Sequence, residues 1–244
     1  MSTDMHSENS MKSNNVYIFT NIYEETTNNL IKSLSEWVQT KSMPKPTEEK
    51  TNEQKSQNLK KQIPGTYVCH RPQKSGNTKQ SDTIIMPYDK WPENKPLLNV
   101  YINSSGGQVY TLLALLSLIH MAKANGTIVR TFNLAWAASA ASILTISGTK
   151  GYRYMAEDAS NYIHFGRAGV IAERQDEIEY KMKTISEHSK LLQKQYLENT
   201  SVTQQELDRY FTTEGSGHLN AKECLEKKIC DWIITNSGKY VNHL

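Results

Sequence analysis

At 244 residues, with 28 basic side chains against 25 acidic and a formal net charge of +3, the chain can bury one sizeable core. It carries no field strong enough to argue for nucleic acid or an anionic membrane as partner. Cys69, Cys224 and Cys230 are odd in number and lack CxxC spacing, which argues against a disulfide framework or a zinc site; the longest apolar stretch, Leu134 to Ile146, is too short and alanine-rich to span a bilayer, and no charged n-region with an apolar core opens the chain, so the expected compartment is the cytoplasm.

In chain order, residues 1–14 read as a short polar leader rich in Asn and Ser, and residues 15–244 as one domain carrying a polar insertion at about 40–95. Met43 to Gln62 offer almost nothing to bury, which predicts a flexible excursion or an exposed amphiphilic helix. Tyr67-Val68-Cys69 and Thr83-Ile84-Ile85-Met86 have the pattern of a hairpin around Lys74-Ser75-Gly76-Asn77.

The chemistry is concentrated downstream. Leu97 to Asn103 is a buried strand stopped by Ser104-Ser105-Gly106-Gly107, and Val109, Leu112, Leu113, Leu116 and Ile119 give the stretch from Gln108 to about Lys123 one apolar helical face. A strand entering a double-glycine turn can aim bare backbone N–H groups at an anion. A second unit follows: Thr127 to Phe132 alternates as a strand, and Leu134-Ala135-Trp136 leads into a helix through Ala137-Ala138-Ser139-Ala140-Ala141. Small neighbours leave the Ser139 hydroxyl open; the same cluster taken alone would also suit a close-packing helix. The third unit has a strand over Lys150 to Ala156, turn residues Glu157 to Asn161, and a short strand Tyr162-Ile163-His164-Phe165. His164 lies 25 residues after Ser139 and its unperturbed pKa suits a general base near neutral pH. Serine, histidine and glycine turn are the parts of an acyl-transfer site. From Arg174 to Glu198 a long helix carries Ile178, Met182, Ile185, Leu192 and Tyr196 on one face, able to pack on its own domain or to meet another chain.

Tyr101-Ile102-Asn103-Ser104-Ser105-Gly106-Gly107, Ala137-Ala138-Ser139-Ala140-Ala141 and Tyr162-Ile163-His164, in that order, resemble the proteolytic subunit of the Clp protease, ClpP, a serine peptidase of the crotonase-like superfamily. The resemblance extends to an opening strand and helix, Val16 to Thr20 and Glu24 to Val38, and to a closing helix and strand from Leu219 to Asp231, in which Cys224 and Cys230 would pack. It implies an α/β, ClpP/crotonase-like fold of repeated strand-turn-helix units, with the long helix belonging to a protruding strand-plus-helix handle that interlocks two rings. It makes Ser139 the nucleophile, His164 its general base, and Gly107 and Ala140 the backbone donors of the oxyanion hole. No metal or organic cofactor is implied for cleavage. The implied partners are copies of the chain in a heptameric ring, stacked rings, an AAA+ unfoldase and unfolded polypeptide, degraded to short peptides.

The chain departs from the family at the third triad member, where an aspartate is expected shortly before the Leu-x-Ala stretch. Counting back from Leu219 reaches Ser216; counting forward from Leu207-Asp208 reaches Glu214. A carboxylate at 214 could orient the imidazole and balance its charge, a hydroxyl at 216 only orient it; His218 is read as a neighbour in that loop. The leader shows no kinship to the family's axial segment. Two alternatives stand beside the peptidase: a catalytically silent ring subunit of the same fold, and a crotonase-type acyl-CoA enzyme.

Overall fold

Among the described residues, short β-branched and aromatic runs punctuated by turns build a nine-stranded sheet. The computed structural model describes residues 10–12, 14–40, 95–164, 174–211 and 217–242, all within one unit drawn from Met1–Ser42 and Thr83–Leu244. The predicted hairpin and excursion of the insertion, Cys69, Glu214 and Ser216 lie outside the described residues. The strands are β1 (Ser10–Lys12), β2 (Asn15–Ile18), β3 (Leu97–Ser104), β4 (Ile128–Ala138), β5 (Arg153–Ala156), β6 (Ser160–Ile163), β7 (Gly217–Asn220), β8 (Trp232–Ile234) and β9 (Tyr240–Val241). The helices among the described residues are α1 (Glu24–Thr40), α2 (Val109–Ala124), α3 (Ala140–Ile146), α4 (Gln175–Asn199), α5 (Gln204–Tyr210) and α6 (Ala221–Glu226). The chain therefore has the mixed α/β architecture expected from its motifs.

The order β1-β2-β3-β4-β5-β8-β9 has a parallel centre, β2 to β5 and β8, closed at each side by an antiparallel edge strand. The strand β4 serves two neighbours. Thr131 to Asn133 pair with β5, while Trp136 to Ala138 pair with β6, which in turn carries β7 antiparallel on its far side. A register shift between Ile102 and Ser104 lets β3 follow the divergence, so that Ser104 meets Ala137. Ala137 and Ala138, expected to open a helix, are thus strand residues, and the helix starts only at Ala140. Pairing on both sides overrides the weak helical preference of alanine there. Ser160 and Asn161, expected in a turn, open β6 for the same reason, and Ser10 to Lys12 of the expected leader are drawn into the sheet as its edge.

Alternation along β3 separates the two faces. Leu98, Val100 and Ile102 point into the main core with Leu30 and Leu34 of α1, Leu112, Leu115 and Ile119 of α2, and Ile143 and Leu144 of α3. On the other face Tyr17, Tyr101, Phe132, Tyr154 and Trp232 share one register across β2, β3, β4, β5 and β8. The first four stack in sequence at 5.4, 4.8 and 4.8 Å, contacts worth about 0.5–1.5 kcal/mol each beyond their burial. Arg153 of β5, 2 % exposed, forks onto Asp231 and donates to the Asn199 carbonyl. That pair, with Lys150 donating to the Glu198 carbonyl, holds the last turn of α4 against the sheet.

Candidate active site

The end of β3 and the start of α3 meet because β3 and β4 are neighbours and both run toward this edge of the sheet. Ile22, just before α1, bridges in parallel to Gly107: its N–H donates to the Gly106 carbonyl at 2.7 Å and its carbonyl accepts from Gln108 N–H at 2.8 Å. In a parallel bridge those bonds belong to the flanking residues, so the N–H of Gly107 itself faces away from Ile22. A methyl group at 107 would overlap the Ile22 carbonyl. At Gly106, with φ +89, a methyl group would lie 2.5 Å from the Ala138 carbonyl and 2.8 Å from both Ala140 N and Ser139 Cβ. Glycine is required at both places, and it brings the turn against the Ser139-Ala140 peptide.

Ser139 joins β4 to α3 at φ 55 and ψ −123, a conformation that side-chain-bearing residues seldom adopt. The switch from strand to helix happens within this one residue, and such an elbow lifts the side chain out of the sheet. Its N–H donates to the Tyr162 carbonyl at 2.9 Å, which ties the elbow to β6. His164 follows directly on β6, half-buried, with its ring stacked on Tyr162 at a centroid distance of 5.1 Å. Ser139, Ala140, Gly106, Gly107 and His164 line one cleft of about 510 Å³. The structure thus brings together all four site residues expected from sequence. His218 is exposed on β7, paired with Tyr162, and its ring lies 5.9 Å from that of Trp136.

The rest of the cleft was not legible in the motifs. Leu112 of α2, Ile143 of α3, and Ile185, Leu192 and Tyr196 of α4 make an apolar wall, and among the described residues no Asp, Glu, Lys or Arg lines the cleft. The α4 face predicted from periodicity was the one available signal. Behind the elbow, Asn161 Nδ2 donates to Ser142 Oγ at 2.6 Å, and Ser142 Oγ bonds the Tyr196 hydroxyl at 2.7 Å. All three residues are buried; burial pushes the tyrosine pKa well above its ordinary value, against a smaller opposing pull from the Ser142 hydrogen bond. This chain joins β6, α3 and α4 immediately beneath the cleft. At the rim, His188 meets Tyr110 edge-to-face at 5.0 Å. Among the described residues no group of three or more His, Cys, Asp or Glu could hold a metal ion, and no helix is long and apolar enough to cross a membrane. Cys224 and Cys230 are buried and free in the closing segment.

Such an arrangement, a hydroxyl on a strained elbow, an imidazole in the same cleft and a glycine turn beside them, has the parts needed to attack a carbonyl and stabilise the resulting oxyanion. Comparison with known proteins identifies the family. The family model described as Clp protease matches residues 72–237. The ATP-dependent Clp protease proteolytic subunit of Streptococcus uberis is 28% identical over 146 residues, covering 59% of this chain and 72% of that protein. A crystal structure of a peptidase from Plasmodium falciparum superposes with a TM-score of 0.59 at 17% identity, over 90% of this chain and 94% of its own, a likeness of fold.

Proposed function

The chain belongs to the Clp protease family, and from that premise we propose that it is a serine endopeptidase in which Ser139 attacks the peptide carbonyl. His164 takes the hydroxyl proton as the bond forms and returns it to the leaving amine, giving an acyl-enzyme that water, deprotonated by the same imidazole, hydrolyses. Gly107 and Ala140 donate their N–H groups to the oxyanion, a role in which loss of one donor costs about 10²–10³ in turnover. Glu214 or Ser216 is the candidate orienter of the imidazole. The single observation that carries this reading is the Ser139 elbow, bound to Tyr162 and lining the same cleft as His164. Backbone strain of this kind persists only where the surroundings hold it, and it concentrates at functional sites.

The apolar wall suits an unfolded polypeptide side chain better than a charged one. A cytoplasmic, heptameric chamber of one or two rings, fed by an ATP-driven AAA+ unfoldase, completes the proposal. The decisive experiment measures native particle mass together with cleavage of a fluorogenic peptide and fluorophosphonate labelling, in the parent and in Ser139→Ala. Labelling and turnover that vanish in the variant are expected. A large particle inert to both reagents in the parent would instead identify a silent ring subunit, and a thermal shift with CoA thioesters but none with peptide chloromethyl ketones would identify an acyl-CoA enzyme.

A further inference from the structure

Tyr162 touches both candidate catalytic residues by different means. Its carbonyl accepts the Ser139 N–H at 2.9 Å, and its ring stacks on the His164 imidazole at 5.1 Å with an interplanar angle of 24°. The second contact follows from strand geometry, because His164 continues the line of β6 and residues two apart on an extended chain project to the same face. The column continues: Trp136 of β4 lies against the Tyr162 ring at 6.0 Å and 18°, and His218 of β7 against Trp136 at 5.9 Å. Main-chain pairing puts these rings on one face of the sheet, since Trp136 is in register with Ser160, and Tyr162 with Ala138 on one side and His218 on the other.

We propose that Tyr162 is a positioning residue for the acyl-transfer reaction, its carbonyl fixing the elbow of Ser139 while its ring, backed by Trp136, fixes the plane of the His164 imidazole. The inference rests on the peptidase reading above and deepens it. A base must meet its proton in one orientation, and an imidazole turns about two side-chain torsions; a ring stacked on it narrows both without using either nitrogen. The stack also presents a π face to the imidazolium formed during attack, an attraction that an aliphatic side chain lacks. The hydroxyl of Tyr162 takes no part in either function, so phenylalanine should serve as well as tyrosine, and leucine should not. The aromatic contact is therefore separable from burial and from strand pairing, both of which leucine keeps.

The test compares Tyr162→Leu and Tyr162→Phe in the assembled full chain by kcat and KM on a fluorogenic peptide, and by the imidazole signals of protein labelled at histidine Cε1, with His164 assigned through His164→Gln. Tyr162→Leu should lower kcat by about 10- to 100-fold, the usual cost of a misoriented catalytic group, with KM within about twofold of the parent. Tyr162→Phe should restore kcat to within about threefold, and the His164 signal should move in the leucine variant and hold in the phenylalanine one. A leucine variant with parental kcat, a phenylalanine variant as impaired as the leucine one, or an unmoved His164 signal in Tyr162→Leu would overturn the inference. If Tyr162→Leu fails to assemble, Trp136→Leu probes the same column one ring further out, where a smaller kcat loss is expected and parental kcat with an unmoved His164 signal overturns the inference. A parent without Ser139-dependent turnover sinks the peptidase reading instead, and the His164 signal then still decides whether Tyr162 holds the ring.

Discussion

Ser139 is held where few residues would sit. Its φ of 55 and ψ of −123 correspond to strain of about 1–3 kcal/mol, sustained by the Tyr162 carbonyl on one side and the Gly106 backbone on the other. Function and stability should therefore part company at this residue. Ser139→Gly relieves the strain, offset in part by the greater unfolded-state freedom of glycine, and should raise stability by about 1 kcal/mol while removing all Ser139-dependent turnover. Ser139→Ala keeps the Cβ and the strain, so it should lose the turnover with no such gain. Denaturant midpoints of the two variants beside the parent check this; equal midpoints for glycine and alanine would show that the elbow stores no strain. Ser139 was recognisable because its neighbours are small and because two other motifs accompany it in order. Nothing in the sequence pointed to Ile22, whose bridge orients the Gly107 peptide from about eighty residues upstream. Long-range pairing of that kind leaves no local periodicity to read.

Among the elements, those with strong local patterns matched expectation. The strand β3 and helix α2 were legible from apolar periodicity and the glycine stop, and α4 from its repeating face. The exchange of partners along β4 was not, since alanine at 137 and 138 speaks for helix until β3 and β6 claim it. Capping was also legible in principle: Thr203 and Glu206 form a capping box on α5, and Glu206 additionally binds Lys227 beyond α6. The Lys227 ammonium first, then the Thr203 N–H, lowers the Glu206 carboxyl from 4.5 to about 2. A carboxyl depressed in the folded state contributes stability above its unfolded pKa and loses it as pH falls toward the folded value. The contribution of Glu206 should thus be complete above pH 4.5 and fade between 4.5 and 2. Because the pair keeps partial contact with solvent, its worth with the cap is about 1 kcal/mol. Unfolding midpoints across that window should fall less steeply for Glu206→Gln than for the parent, and identical slopes would refute the assignment.

At the scale of the whole molecule, α4 is divided between two environments. Its C-terminal half carries Leu192 and Tyr196 into the cleft and core, anchored by Arg153 and Lys150, whereas Ile178, Tyr180 and Met182 in its N-terminal half are exposed. Ile178 and Met182, four residues apart, share one exposed face of the helix, and large apolar side chains on a shared exposed face are what an interface between chains requires. On the proposed stacking of rings, that face would be covered by a second copy, and the same helix would transmit assembly to the cleft through Ile185, His188 and Tyr196. Replacing Ile178 and Met182 together by Glu leaves every cleft residue in place, so the monomer fold should survive. The expected result is a particle of roughly half the parental mass by native mass spectrometry, with peptide turnover reduced by at least tenfold, because an interface of this kind contributes only when its apolar face is buried. Restoration of mass and turnover at high protein concentration would tie the two together by mass action. A double variant with parental mass and turnover would show that the exposed half of α4 plays no part in assembly, and that the cleft is complete within one chain.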